Sequence, residues 1–294
     1  MQSHQRGKEM STTRRAFLRA AAAAPVLRLA GAQRPLAGLK IGVTDWNLRL
    51  AGKTEAVALA ARLGFQGVEV SLGRKPVEGR LALDNPELQE RYLSEAREHK
   101  MALAGTCLDI LHVNYLKNDP LGQKWVAAGI PITSRLKARV MLLPFFGKGA
   151  LQTPQELDYV GDVLRELAPE AEKAGVILGL ENTCSARDNM RIMERARSSA
   201  VRVYYDVGNS TNNGYDIYEE MRWLGRGYIC QIHLKDKGYL GEGKIDFAAV
   251  LRIIADIGFE GFANLETSSP SGSVEDDMRR NLGYVRQLIE KLQG

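Results

Sequence analysis

Cysteine is nearly absent from this 294-residue sequence, and the three present, Cys107, Cys184 and Cys230, share no paired spacing. That excludes a disulfide framework or a zinc knuckle and leaves them as small buried hydrophobes. Glycine-rich phosphate loops are missing too. The stretch GVTDWNLRLAGK, residues 42–53, contains neither GxGxxG nor GxxxxGK[ST], so it makes no dinucleotide or triphosphate cradle. No apolar run is long and uncharged enough to serve as a membrane anchor. The Ala-rich stretch near the start is interrupted by Arg19, Pro25 and Arg28.

That stretch has a different meaning. Arg14 and Arg15 form a twin arginine, followed by Phe17 and Leu18, an alanine run, and the small-x-small triplet Ala30-Gly31-Ala32. A charged start, a modest apolar middle and a small-residue cut describe a bacterial export signal of the twin-arginine type over residues 1–32. The expected mature chain is 33–294, exported to the periplasm with no stable membrane anchor. Its charge is also different. The formal net charge is +5, from 40 basic and 35 acidic residues. Six of those basic residues and one acid (Glu9) fall in the leader, leaving 34 of each sign. A neutral mature chain offers no electrostatic footprint for nucleic acid, where phosphate contacts dominate affinity.

What is abundant is a repeated pattern. Short runs rich in β-branched and apolar residues occur at 39–46, 65–72, 101–111, 138–146, 175–183, 201–209, 228–236 and 261–269. Their starts lie roughly 25 to 37 residues apart, room for a loop, a helix and a loop. The stretches between carry helix signals. Thr153, Pro154 and Glu156 form a capping box ahead of Leu157, Val160, Val163, Leu164 and Leu167. Asn85 and Pro86 open a second helix, and Ser273 a third with acids in its first turn. Pro169 is expected to bend or break its helix. Runs with no polar alternation indicate strands buried on both faces. Eight βα units in a chain of this length predict an α/β fold, a (β/α)8 TIM barrel forming a single domain.

In such a barrel the chemistry gathers where the strands end. Four runs, ILGLEN, VYYDVGN, CQIHLKD and ANLETS, each deliver one ionisable side chain after several apolar residues: Glu181, Asp206, His233 and Glu266. A carboxylate approached through apolar chain must be paired, hydrogen-bonded or metal-bound. Three of them with no matching arginine would repel one another, and one divalent cation resolves the conflict. Three oxygens and one nitrogen favour Mn²⁺, accommodate Mg²⁺ or Co²⁺, and suit Zn²⁺ less. Trp46, Glu69, His112, Asn209 and Lys235, also near run ends, are candidate substrate contacts. For His112, Trp46 and Glu69 the competing reading is packing or strand pairing, and His99 reads as a surface residue at a helix end.

The motifs GLEN, YYDVGN, IHLKD with the following GEGKIDF, and NLE resemble those of the xylose-isomerase-like barrel superfamily, across essentially all of the mature chain. That group contains ketose 3-epimerases, hydroxypyruvate isomerase, inosose dehydratase and, more distantly, nucleases of the endonuclease IV type. The resemblance implies that Glu181, Asp206, His233 and Glu266 hold the metal and that Glu181 and Glu266 are also the catalytic acid/base groups on opposite faces of a carbohydrate. It implies a sugar isomerase or 3-epimerase working through a metal-stabilised enediolate, in a group whose barrels often form homodimers. A keto-sugar or inosose lyase or dehydratase on the same ligands, and a non-catalytic periplasmic sugar-binding barrel, are the alternatives. The multi-zinc nucleases need more histidines than this chain has. Three positions depart from the family pattern: Asn209 stands in place of a His, Arg187 in place of a second Glu, and Tyr239 in place of an Arg.

Overall fold

A computed structural model describes residues 36–294; the expected export signal, residues 1–32, lies outside the described residues. Eight parallel strands close into a barrel in sequence order, with β1 paired to both β2 and β8. They are β1 Leu39–Thr44, β2 Gly67–Ser71, β3 Ala102–Cys107, β4 Val140–Phe145, β5 Ile177–Asn182, β6 Val201–Asp206, β7 Ile229–Leu234 and β8 Gly261–Leu265. Every one falls inside an expected run. Where the runs overreach, the ends curl into helix. The third strand stops at Cys107 and Asp109–His112 form a 3-10 turn. The sixth stops at Asp206, whose side chain captures the Asn209 amide and starts a new helix.

Nine helices among the described residues wrap the barrel: α1 Glu55–Leu63, α2 Pro86–Glu98, α3 Pro120–Arg135, α4 Pro154–Ala174, α5 Ala186–Ala196, α6 Val207–Asn212, α7 Ile217–Tyr228, α8 Phe247–Asp256 and α9 Val274–Gln293. The capping box of Thr153 and Glu156 is present at the start of α4, and Asn85 and Ser273 cap α2 and α9. The expectation for Pro169 needs correcting as to a break: α4 runs through it to Ala174. Both Pro169 and Arg165, whose carbonyl loses its donor, lie on the exposed face, where water can take that place.

The main core lies between sheet and helices. Val43, Val68 and Val70 are fully buried there, each contributing about 1.5–3 kcal/mol relative to exposure. A second, smaller cluster of Cys107, Val140, Leu142, Tyr204 and Cys230 lies apart from it. The three cysteines are buried and unpaired, as expected. No described helix is long and apolar enough to cross a membrane.

Candidate metal centre

The pairing of neighbouring strands sets the depth of each polar side chain. Glu181 is next to last in β5, Asp206 last in β6, His233 next to last in β7, and Glu266 follows β8, its amide bonded to the Leu234 carbonyl. Asp206 and His233 are register partners. One ligand atom from each of the four residues lies within 4.8 Å of the others. His233 Nδ1 is 2.9 Å from Glu181 Oε1, 3.7 Å from Glu266 Oε2 and 3.9 Å from Asp206 Oδ2. The structure thus brings together the four residues expected as ligands.

The donors around this square are unequally shared. Glu266 is held at both oxygens, by Trp46 Nε1 at 3.0 Å and by Lys235 Nζ at 2.7 Å. Asp206 spends Oδ1 on the Asn209 amide at 2.7 Å, while its Oδ2 is buried with no hydrogen-bond partner. Burial drives the Asp206 carboxyl well above the usual range, and the Glu266 and Glu181 charges push it further. Burial also raises Glu181, against the pull of His233. Glu266 goes the other way. Burial would raise it, yet the charges of His233 and Lys235 bring it down to about 2. Burial lowers His233, but the carboxylates of Glu181, Glu266 and Glu69 outweigh it and lift the imidazole well above its ordinary value. Lys235 is raised by Glu266 and Asp206 in spite of burial.

All these directions express a demand for positive charge at one point. An Asp206 oxygen with no hydrogen bond and only Lys235 Nζ at 3.6 Å, two further carboxylates and an imidazole nitrogen, whose ligand atoms lie within 4.8 Å of one another, fit a divalent ion. These residues can hold one.

The expected substrate contacts divide into three groups. Trp46, Asn209 and Lys235 do reach the square; Asn209 Nδ2 lies 3.5 Å from Glu181 Oε1, and Trp46 meets the His233 ring edge-on at 6.0 Å. His112 instead stacks on Phe146 at 6.2 Å and, among the described residues, pairs with none of the four. Burial and Arg74 lower its pKa. Glu69 lies one level below the other candidates. It is fully buried, beneath His233, with its Oε2 3.0 Å from His233 Nε2. Of the positions that depart from the family pattern, Arg187 faces outward over Trp223 and Tyr239 bonds Asp277. His99 sits at the end of α2 beside Glu95, as expected.

Sequence reading missed the layer beneath the square. Tyr204, Gln231 and Asn264 each sit two residues before a ligand, so strand alternation points them the same way one level down. They were findable by that spacing. Tyr204 Oη donates to Glu69 Oε2 at 2.7 Å, Asn264 Nδ2 donates to Tyr204 Oη at 2.8 Å, and Gln231 Nε2 donates to the Ala104 carbonyl. Gly42 is required here, because a β-carbon on it would collide with the Asn264 amide oxygen.

A second buried acid was also missed as a structural device. Asp45, with no exposed surface, accepts from the Gly52 and Ser71 amides and the Ser71 hydroxyl, each at 2.9 Å, tying the first loop to β2. Burial raises its pKa to about 7, against those donors, and raises Asp109 to about 6. Between pH 4 and 7 the unfolded chain gives up this proton while the folded chain keeps it, so the Asp45 contribution falls as pH rises. The wild-type protein should therefore lose, relative to Asp45→Ser, on the order of 3–4 kcal/mol of stability between pH 4 and 7.5. Urea unfolding of both proteins at the two pH values checks this; a constant difference would contradict it.

Fold and site together define a parallel barrel with a buried carboxylate–histidine cluster, able to hold a cation, at the carboxyl ends of its strands. The chain belongs to the xylose isomerase-like TIM barrel family, which it matches over residues 57–288. It is 27% identical over 198 residues to a 2-epi-5-epi-valiolone 7-phosphate 2-epimerase of Actinoplanes sp., covering 67% of this chain and 72% of that protein. Among solved structures it resembles an L-ribulose 3-epimerase, with TM-score 0.69 and 17% identity over 87% of this chain and 96% of that one. A 3-keto-D-glucoside 4-epimerase from E. coli gives TM-score 0.67 and 16% identity over 85% and 99%.

Proposed function

We propose that this protein is a divalent-metal-dependent sugar epimerase or isomerase that moves a proton on the carbon beside a carbonyl. The observation that carries the reading is the pair Glu181 and Glu266, held 2.9 and 3.7 Å from the same His233 nitrogen on a four-ligand square. The similar proteins named above, an L-ribulose 3-epimerase, a 3-keto-D-glucoside 4-epimerase and a 2-epi-5-epi-valiolone 7-phosphate 2-epimerase, support it. Mn²⁺ is the ion the three-oxygen, one-nitrogen donor set suits best. When bound, it polarises the carbonyl and neighbouring hydroxyl oxygens and so acidifies the C–H between them.

The protein's own groups do the rest. Glu266, fixed by Trp46 and Lys235, accepts the proton on one face. Glu181, on another strand, returns one on the opposite face, which is what inversion requires. Lys235 keeps an ammonium beside the site that also faces the oxygens of the substrate. Trp46 walls one side with an aromatic surface.

The test is incubation of Mn²⁺-loaded protein in D₂O with free, phosphorylated and glycosidic keto-sugars. Deuterium at the carbon beside the carbonyl of recovered sugar, with an epimer or isomer formed, is the expected result. An unsaturated product or a released aglycone would indicate elimination instead, and binding without exchange a sugar-binding barrel.

A further inference from the structure

The square leaves open how one imidazole nitrogen comes to face three carboxylates. Glu69 answers it. Its Oε2 collects three donors: Tyr204 Oη at 2.7 Å, His233 Nε2 at 3.0 Å and Asn264 Nδ2 at 3.2 Å. Asn264 Nδ2 has two hydrogens for three acceptors, Tyr204 Oη at 2.8 Å and Glu69 Oε2 and Gln231 Oε1 each at 3.2 Å; the shortest contact takes one of them, so the tyrosine must spend its own hydrogen on Glu69. Oε2, accepting the tyrosine hydrogen at 2.7 Å, is an acceptor toward the histidine as well. His233 Nε2 must supply the hydrogen of this contact, because two lone pairs facing each other at 3.0 Å would repel. Both side chains are fully buried, so no water can take over the contact.

We propose that Glu69 is a positioning residue that holds a proton on His233 Nε2, so that Nδ1, which faces Glu181 Oε1 at 2.9 Å and by the same argument carries a proton until a cation replaces it, is the nitrogen left to ligate the metal. The inference rests on the metal reading above and deepens it. Turning the ring over would place carbon at both nitrogen positions and lose the Glu69 and Glu181 contacts together. The arrangement depends on the strand irregularity between Val68 and Glu69, which pairs Glu69 with Gly105 rather than with its neighbour. A second partner that orients a ligand imidazole in this way commonly accounts for a 10- to 100-fold change in metal affinity.

Two measurements on the full barrel test this. In the first, Mn²⁺ affinity is determined by chelator competition for wild type, Glu69→Ala, Glu69→Gln and Tyr204→Phe. Glu69→Ala should bind about 10- to 100-fold more weakly. Glu69→Gln, whose amide oxygen still accepts from Nε2–H, should recover most of that loss, and Tyr204→Phe should fall between. A purely structural Glu69 would lower the unfolding temperature while leaving the affinity of the folded protein unchanged.

In the second, nitrogen-15 NMR follows His233 as metal-free protein takes up Mg²⁺. The proton on Nε2 should remain through the titration, while the proton on Nδ1 is lost as Mg²⁺ is taken up. Mg²⁺ uptake with the proton left on Nδ1 overturns the inference while the metal site stands. So does a folded Glu69→Ala that binds within twofold of wild type. If the wild-type protein takes up no ion in either experiment, it is the metal reading that has failed. Should Glu69→Ala not fold, the wild-type spectrum and the Gln variant decide the question alone.

Discussion

Glu181→Gln and Glu266→Gln should each lower the turnover of epimerisation by about 10²- to 10⁴-fold, which is the usual contribution of a positioned acid or base. Each glutamine keeps a carbonyl oxygen that can still ligate an ion, so metal content, measured on the same samples, should remain near stoichiometric. The two variants should differ in D₂O. Inversion needs a proton removed from one face and supplied to the other, so either substitution stops it. Exchange needs one face only. Glu181→Gln leaves Glu266 held by Trp46 and Lys235, and should still wash deuterium into whichever of the two epimers has its hydrogen facing Glu266. Glu266→Gln should show the reverse preference for substrate and epimer. Loss of exchange with both sugars in both variants would rule out two separate bases. Undiminished turnover in either would remove that residue from the chemistry.

That experiment addresses residues the sequence exposes unusually well. Glu181, Asp206, His233 and Glu266 each end an apolar run, and parallel strands buried on both faces leave few other places for an ionisable group. The eight-fold alternation of runs and helical stretches is legible for the same reason, as are the caps at Thr153, Asn85 and Ser273. Depth is harder to read. Glu69 lies in GVEV, and nothing in those four letters shows that it pairs with Thr44 on one side and Gly105 on the other. That register comes from barrel closure and a local irregularity, and it puts Glu69 under the histidine rather than beside the substrate. Asp45 is similar. Its clamp on Ser71 requires two neighbouring strands to end together. Pro169 shows the opposite limit, where a strong local signal is overridden because its lost hydrogen bond faces water.

Dialysis against a strong chelator should abolish turnover, and restoring Mn²⁺ should return it. The fall should be to background rather than partial, because without a cation the carbons beside the substrate carbonyl have no comparable acidifying group near them. Stability should change as well. An ion bound only by the folded chain adds about 2.7 kcal/mol at a concentration 100 times its dissociation constant. In a domain of this size that amounts to roughly 5–10 °C in unfolding temperature. The structure gives a reason to expect the full effect. Asp206 Oδ2 has no hydrogen bond, only Lys235 Nζ at 3.6 Å, and burial pushes its carboxyl well above the ordinary range, so without a cation the folded chain must keep a proton there or bury a poorly compensated carboxylate, a cost that the unfolded chain does not bear. Asp206→Asn separates the two consequences. It removes one carboxylate ligand and should weaken Mn²⁺ affinity, while removing the cost of burying that carboxyl without a cation and so narrowing the stability gap between chelated and metal-loaded protein. Scanning calorimetry with and without Mn²⁺ on both proteins measures that gap directly. An unfolding temperature in wild type that does not respond to chelator, together with unaltered activity, would mean that no cation is held there.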